Sequence, residues 1–189
     1  MSLLETIAVV LGVINIALLV RRSIWNYPFG IAMVVLYFFI FREVKLYSDM
    51  LLQVFFLVVQ GWGWWMWARA GGLAGSVAVG WMGPLERWLW LRGVVVAALL
   101  WGSGMVVWTD AARPLWDAAV AMGSVAAQLL LARRRVENWI AWIVIDLLAI
   151  GLYADRGLWL TSGLYGLFLV MSAIGLAQWR IAARHRGAA

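Results

Sequence analysis

Polar side chains recur at helical spacing within two strongly apolar stretches of the sequence, and these residues have the chemistry to bind a ligand. Residues three or four apart share one face of a helix. In the first stretch that face comprises Asp49, Gln53, Phe56, Gln60, Gly63 and Trp67. In the second it comprises Asn138, Trp142, Asp146, Ala149 and Tyr153. Amide, carboxyl and phenol groups among flat aromatic faces suit a small ligand that has an aromatic ring and hydroxyl groups.

Two further groups extend the predicted site. A third stripe, near the end of the chain, comprises Thr161, Tyr165, Phe168, Ser172, Gly175 and Trp179. A cluster of tryptophans is too dense for every ring to face lipid, so some should point inward: Trp62, Trp64, Trp65 and Trp67. The substrate-binding residues that we predict are Gln53, Gln60, Trp62, Trp65, Asn138, Trp142, Asp146 and Tyr165.

Helix packing is the alternative role for the polar residues, because Gln, Asn and Ser also form hydrogen bonds between helices in membranes. It applies most to Gln60, Gln128 and Ser172. Asp146 is the least expected residue, a carboxyl about two turns into an apolar run. The pattern leaves open whether it is ionised against a cationic ligand or protonated as a hydrogen-bond donor. Asp49 and Asp117 lie nearer the ends of such runs and are predicted to be interfacial.

The elements that must position these residues are transmembrane helices. Of the 189 residues 66% are hydrophobic and 13% are charged, and the mean hydropathy is +0.91. An ordinary soluble domain is about 45 to 50% apolar and about 25% charged, so this composition is that of a protein in a lipid membrane and not of one in water. We predict an all-α integral membrane protein with seven spans. They are Leu3 to Val20, Ile24 to Phe41, Val44 to Trp67, Leu89 to Trp108, Pro114 to Ala132, Val136 to Ala154 and Leu158 to Trp179.

The basic residues predict how these spans are oriented. With seven spans, eleven of the 15 Lys and Arg residues fall on one side and four on the other. Because cytoplasmic loops carry the excess of basic residues, the N-terminus should lie outside and the C-terminus in the cytoplasm, with the chain in the cytoplasmic membrane. The net charge of +6 is spread over these loops, which argues against nucleic-acid binding. Tryptophans expected in the interfacial belts are Trp81, Trp88, Trp90, Trp108 and Trp116.

Metal, cofactor and catalytic chemistry are not expected. The chain has no cysteine, and its only histidine, His185, lies in the polar tail, so zinc and haem sites are not expected. No HExxH, GxSxG, P-loop or dinucleotide-binding glycine motif is present, so we predict that the chain is not an enzyme. An integral membrane enzyme, or a membrane scaffold or receptor without transport, is the alternative.

The chain aligns with itself at an offset of 112 residues. This offset places Arg21 and Arg22 on Arg133 and Arg134, Asn26 on Asn138, Gly63 on Gly175 and Trp67 on Trp179. Each repeat would contain three helices with the fourth span as connector, a parallel 3+1+3 arrangement of the kind found in SWEET transporters, whose sites lie between the repeats. The alternative is the shared composition of membrane helices. The predicted domains are 1–68 for the first repeat, 69–112 for the linker and fourth helix, 113–180 for the second repeat and 181–189 for a cytoplasmic tail.

Two regions resemble the PnuC family of nicotinamide riboside transporters. They are LYSDMLLQVFFLVVQGWGWWMW at 46–67 and the stretch 137–179, which begins ENWIAWIVIDLLAIGLY and ends LYGLFLVMSAIGLAQW. The resemblance implies a SWEET-like fold, homotrimers, and facilitated diffusion of a vitamin that a cytoplasmic kinase then traps by phosphorylation. The ligand contacts that it implies are Gln53, the Trp62 to Trp67 cluster, Asn138 and Trp142. Related members are thought to carry thiamine or riboflavin, which stay open as alternative substrates.

Overall fold

The computed structural model describes residues 3–43, 47–108, 113–155 and 159–187. Within these ranges the chain is helical, with no β-strand, as predicted. The seven helices are α1 (Leu3–Val20), α2 (Asn26–Glu43), α3 (Tyr47–Trp67), α4 (Pro84–Trp108), α5 (Pro114–Ala132), α6 (Glu137–Asp155) and α7 (Trp159–Gly187). They follow the predicted spans in order, although α7 continues beyond Trp179. The predicted start of the third span at Val44 lies outside the described residues, as does that of the seventh at Leu158.

Three described helical stretches are long and apolar enough to cross a membrane: Pro84–Trp108, Pro114–Ala132 and Ser162–Arg184. Two shorter apolar helical stretches are Thr6–Val20 and Asn26–Ile40. α6 buries polar side chains and exposes apolar ones, the distribution expected of a helix in lipid. Asn138 and Asp146 are buried, whereas Val144 and Leu147 are more than half exposed. α4 is exposed along nearly its whole length and presents apolar side chains outward.

The described residues group into two compact units. The first contains α1, α2 and α3, together with residues 131–134 and the part of α7 from Gln178 onward. The second contains residues 80–130 and 135–177, and so holds α4, most of α5, α6 and most of α7. The candidate residues of α3 therefore belong to the first unit, and those of α6 and α7 belong to the second.

In the first unit, α2 packs against both α1 and α3. A buried aromatic cluster lies at the end of α3, where the Tyr27 and Trp67 rings meet edge to face with centroids 5.3 Å apart. The Trp179 ring lies 6.1 Å from that of Trp67, and its indole nitrogen donates a hydrogen bond to the Leu19 carbonyl at 3.1 Å. A Cβ placed on Gly63 would lie 2.6 Å from the Tyr27 hydroxyl. Glycine at 63 is therefore what allows α3 to approach the Tyr27 ring.

The turn between α1 and α2 has the same hydrogen bonds as the turn between α5 and α6, 112 residues later. In the first turn, the Arg22 amide donates to the Leu19 carbonyl at 2.8 Å and the Ser23 amide to that of Leu18 at 3.0 Å. In the second, the Arg134 amide donates to the Leu131 carbonyl at 2.8 Å and the Arg135 amide to that of Leu130 at 2.9 Å. The two helices that follow begin alike too, since the side chains of Asn26 and Asn138 each donate to the carbonyl three residues earlier, at 2.7 and 2.6 Å.

The glycine-rich segment 71–83, predicted as a linker, forms hydrogen bonds with other residues within each unit. In the first unit, the Val77 amide donates to the Arg22 carbonyl at 3.2 Å, and the Arg22 guanidinium donates to the Val77 carbonyl at 3.3 Å. In the second, the Gly80 carbonyl accepts from the Val136 amide at 3.0 Å, and the Met82 amide donates to Glu137 Oε1 at 2.9 Å. Val77 and Met82 are buried, so this segment is a packed part of the fold.

Candidate binding site

Asn138 is fully buried at the start of α6, and only one of the two polar atoms of its amide has a hydrogen-bond partner. Its Nδ2 donates to the Arg135 carbonyl at 2.6 Å, whereas Oδ1 has no hydrogen-bond partner in the structure. A carbonyl can only accept a hydrogen bond, so the nitrogen must be the atom that faces Arg135. The amide oxygen is left as a buried acceptor, which is an arrangement that a donor on a ligand would complete.

Asp146 is buried midway along α6, with 2% of its surface exposed. The Ser172 hydroxyl on α7 donates to Asp146 Oδ2 at 3.1 Å. Ser172 therefore makes the interhelical hydrogen bond expected of a packing residue, and the group that it contacts is the candidate carboxyl. Burial of Asp146 agrees with the expectation that a carboxyl at this depth cannot face lipid.

Trp142 and Tyr165 complete the candidates of the second unit. Trp142 lies one turn before Asp146 on the same face of α6 and is half-buried. Tyr165 on α7 is also half-buried, and its ring packs edge to face against Phe168 at a centroid distance of 5.8 Å. The side chains of Tyr153 and Thr161, which the stripes included, lie outside the described residues.

Gln60 is buried in the first unit, where its side chain faces Gly30 on α2. A Cβ at Gly30 would collide with the Gln60 amide oxygen and would lie 2.7 Å from Asn15 Nδ2. At the offset of 112 the pair Gly30 and Gln60 corresponds to Trp142 and Ser172. The larger side chain is the second of the first pair, Gln60, but the first of the second pair, Trp142. Gln53 lies two turns earlier on α3 and is half-buried.

The four clustered tryptophans at the end of α3 divide between inward and outward positions, as expected. Trp67 is fully buried, whereas Trp64 and Trp65 are exposed. Trp62 is half-buried, and the Arg133 guanidinium lies 5.8 Å from its ring centroid. The Arg69 guanidinium lies 4.5 Å from the ring of Trp65. Both arrangements are cation–π contacts between an indole and a basic side chain of the predicted cytoplasmic side.

Comparison with known proteins identifies the family. A family model described as nicotinamide mononucleotide transporter matches residues 2–181. The chain belongs to this family of transporters. The PnuC resemblance is confirmed, and the chain is a multi-pass membrane protein.

Individual relatives extend this result. The nicotinamide riboside transporter PnuC of Escherichia coli is 29% identical over 99% of this chain and 89% of its own length. The riboflavin/roseoflavin transporter RibM of Streptomyces davaonensis is 28% identical over 93% of this chain and 83% of its own. The crystal structure of the vitamin B3 transporter PnuC matches with a TM-score of 0.79 at 27% identity, covering 96% of this chain and 82% of that one.

Two features of this family member were not predicted from its sequence. Tyr27 and Trp139, which align at the offset of 112, are both buried against a glycine, Gly63 on α3 and Gly175 on α7 respectively. Their shared offset was the signal that could have identified them. Trp116, predicted for the interfacial belt, is half-buried, and its indole nitrogen donates to the Leu148 carbonyl at 3.0 Å, a contact that was not predicted.

Proposed function

We propose that the protein carries a small aromatic vitamin or nucleoside, most favourably nicotinamide riboside, across the cytoplasmic membrane by facilitated diffusion. A cytoplasmic vitamin kinase then traps the substrate by phosphorylation. The observation that carries this proposal is the buried polar face of α6, where Asn138 and Asp146 lie within a helix whose other face is apolar and exposed. Such groups are costly in a membrane unless they line a pathway or bind a partner.

The names of the relatives support nicotinamide riboside as the first substrate to test. Those from Escherichia coli and Neisseria mucosa are both nicotinamide riboside transporters, each 29% identical to this chain. Riboflavin is the second candidate, because RibM is related along 93% of this chain. Thiamine, which the resemblance also left open, is the third. Membership of a transporter family favours transport over an enzyme or a membrane protein without transport.

Passive transport is proposed because the chain offers little with which to couple an energy source. It has no P-loop for ATP. Among the described residues, the buried acids are Glu137 and Asp146, and Glu137 is already paired with Arg87 at 2.8 Å. One further carboxyl does not form the chain of acidic groups that a proton relay uses. In the described ranges no cluster of three or more His, Cys, Asp or Glu residues is placed to hold a metal.

The architecture that we propose for this function is the parallel 3+1+3 arrangement, with domains at 1–68, 69–112, 113–180 and 181–189. The matching turns at 18–27 and 130–139 support equivalent repeats. Exposure of apolar side chains along α4 suits a connector that contacts lipid or other protomers, as in a homotrimer. The ligand-contacting residues that we propose remain those named from the sequence.

Uptake into proteoliposomes tests the function. Purified protein should equilibrate labelled nicotinamide riboside across the bilayer, and imposed proton or sodium gradients should not drive accumulation. Enclosing a nicotinamide riboside kinase and ATP should convert equilibration into accumulation. Trp142→Ala should slow uptake, whereas Trp108→Ala, a change at an exposed residue of α4, should not. Uptake no faster than in protein-free liposomes for nicotinamide riboside, riboflavin and thiamine alike would refute a role in vitamin transport.

A further inference from the structure

The buried face of α6 presents groups that attract positive charge. Asp146 contributes a carboxyl, Asn138 contributes an unpartnered amide oxygen, and Trp142 between them contributes an indole. The amide nitrogen of Asn138 is already committed to the Arg135 carbonyl, so this side chain can offer only its oxygen. A carboxylate, a carbonyl oxygen and an aromatic face each interact favourably with a cation.

α6, and α7 as far as Ala177, contain no basic side chain that could neutralise this face. The sequence has no Lys or Arg between 136 and 155 or between 157 and 179. Three ion pairs in the described part of the unit lie at the ends of its helices: Arg87 with Glu137, Arg113 with Asp155, and Arg135 with Glu86. The partner that the structure gives Asp146 is the Ser172 hydroxyl, which is neutral. An ionised carboxylate in such surroundings needs a positive charge from elsewhere.

Helix packing alone does not require an acid at this position. At the offset of 112 Asp146 corresponds to Val34, which is equally buried, with 2% of its surface exposed. Val34 therefore occupies the same place in the first repeat with a purely apolar side chain. The carboxyl is therefore a feature of one of the two aligned segments and not of both.

We infer that Asp146 is the counter-ion for a positively charged aromatic ring, with Ser172 as the residue that positions its carboxylate, so that the site selects cationic over neutral substrates. This inference rests on the proposed function and names the substrate class of the same site. Nicotinamide riboside carries a positive charge on its pyridinium ring, and thiamine carries one on its thiazolium ring. Riboflavin is neutral. The inference therefore ranks the three candidates, with riboflavin last.

The test compares nicotinamide riboside with its reduced dihydropyridine form, which has nearly the same shape but no charge on the ring. Affinities of the full chain in detergent are measured by calorimetry. The wild-type protein should bind the cationic form about 10- to 100-fold more tightly than the neutral form, the range for a hydrogen-bonded charged group. Equal affinity for the two forms in the wild-type protein overturns the inference without any variant being made.

Substitutions test which residues cause the preference for the cationic form. Asp146→Asn, which keeps the shape of the side chain, should remove most of the preference for the cation while leaving affinity for the neutral form within about threefold. Ser172→Ala should reduce the preference, and Ser172→Thr, which restores a hydroxyl, should recover it. Asp155→Asn, at the exposed end of the same helix, is the matched control and should change neither affinity. A preference that survives Asp146→Asn, or equal loss of both affinities, overturns the inference.

The outcomes also separate this inference from the proposed function. A wild-type protein that binds none of nicotinamide riboside, thiamine and riboflavin refutes the function and the inference together. Binding of riboflavin without the two cations keeps vitamin transport and overturns charge selection. Binding of thiamine alone keeps charge selection and removes nicotinamide riboside as the substrate, provided that Asp146→Asn weakens thiamine binding.

Discussion

Arg22 and Arg134 share a left-handed backbone conformation, with φ of 57° and 60°, although 112 residues separate them. Among the described residues they are the two non-glycine residues with positive φ. For a residue with a Cβ this conformation costs about 1 to 2 kcal/mol, so its presence at both equivalent positions indicates a turn that the surrounding hydrogen bonds enforce. Repetition of a locally unfavourable conformation is stronger support for repeats than matching apolar residues.

The first prediction concerns this strained position. Arg22→Gly and Arg22→Ile both remove the hydrogen bond to the Val77 carbonyl, but only isoleucine resists positive φ. Arg22→Ile should therefore unfold with a free energy about 1 to 2 kcal/mol lower than Arg22→Gly. Thermal unfolding in detergent measures the difference. The same pair of changes at Arg21, which does not have positive φ, should show little difference. Equal stability of the two Arg22 variants would contradict the prediction.

The second prediction concerns the two glycines against buried aromatic rings. An alanine Cβ at Gly63 would lie 2.6 Å from the Tyr27 hydroxyl, and one at Gly175 would lie 2.6 Å from the Trp139 ring. Each Gly→Ala change should lower the free energy of unfolding by about 1 to 3 kcal/mol, because the helices must move apart. Gly61→Ala and Gly166→Ala are matched controls on the same helices, since a Cβ at either meets no atom within 4 Å. Controls as destabilised as the test variants would show that close packing is not the cause.

The third prediction separates stability from binding at the equivalent asparagines. Asn26→Leu and Asn138→Leu each remove a side-chain hydrogen bond to the carbonyl three residues earlier, so both should lose stability to a similar extent. Only Asn138→Leu should also weaken vitamin binding, by about 5- to 150-fold, or roughly 1 to 3 kcal/mol, because it removes the buried oxygen proposed to meet the ligand. Scanning calorimetry measures the loss of stability, and titration calorimetry on folded, monodisperse variants measures the loss of vitamin affinity. Equal binding losses for the two variants would relocate the site.

The fourth prediction contrasts two ion pairs of the second unit. Glu137 is nearly buried and accepts from both Arg87 and the Met82 amide, whereas Arg113 and Asp155 are about half exposed. Glu137→Ala should therefore lower the free energy of unfolding by about 1 to 3 kcal/mol, since it leaves a buried amide unsatisfied. Asp155→Ala should cost less than about 1 kcal/mol and less still at high salt. A larger effect of Asp155→Ala would reverse the expected order.

The fifth prediction concerns topology. Eleven of the 15 basic residues fall on one side of seven spans, so the tail after Trp179 should be cytoplasmic and the N-terminus outside. Fusions of alkaline phosphatase and of a fluorescent protein at the C-terminus report the two locations with opposite signals. An active phosphatase fusion, which requires the periplasm, would invert the proposed orientation.

The sequence predicted the helices well because their apolar runs are long and their breaks are charged. It also placed Asn138 and Asp146 on one face of α6, since helical spacing alone determines that. It did not predict how the segment 71–83 packs, because Val77 and Met82 bind groups 55 residues away along the chain. Periodicity contains no information about such distant pairings. The same limit applies to Trp116, whose partner at Leu148 is a backbone carbonyl that no sequence pattern marks.

The hydrogen bond from Trp179 to the Leu19 carbonyl spans 160 residues, and this has a consequence for biosynthesis. α1, α2 and α3 leave the ribosome long before Trp179 is made, so Trp67 must enter the bilayer without one of its aromatic neighbours. The contact between Trp67 and Trp179 therefore forms only when translation is nearly complete. The first unit to be synthesised is thus among the last to close.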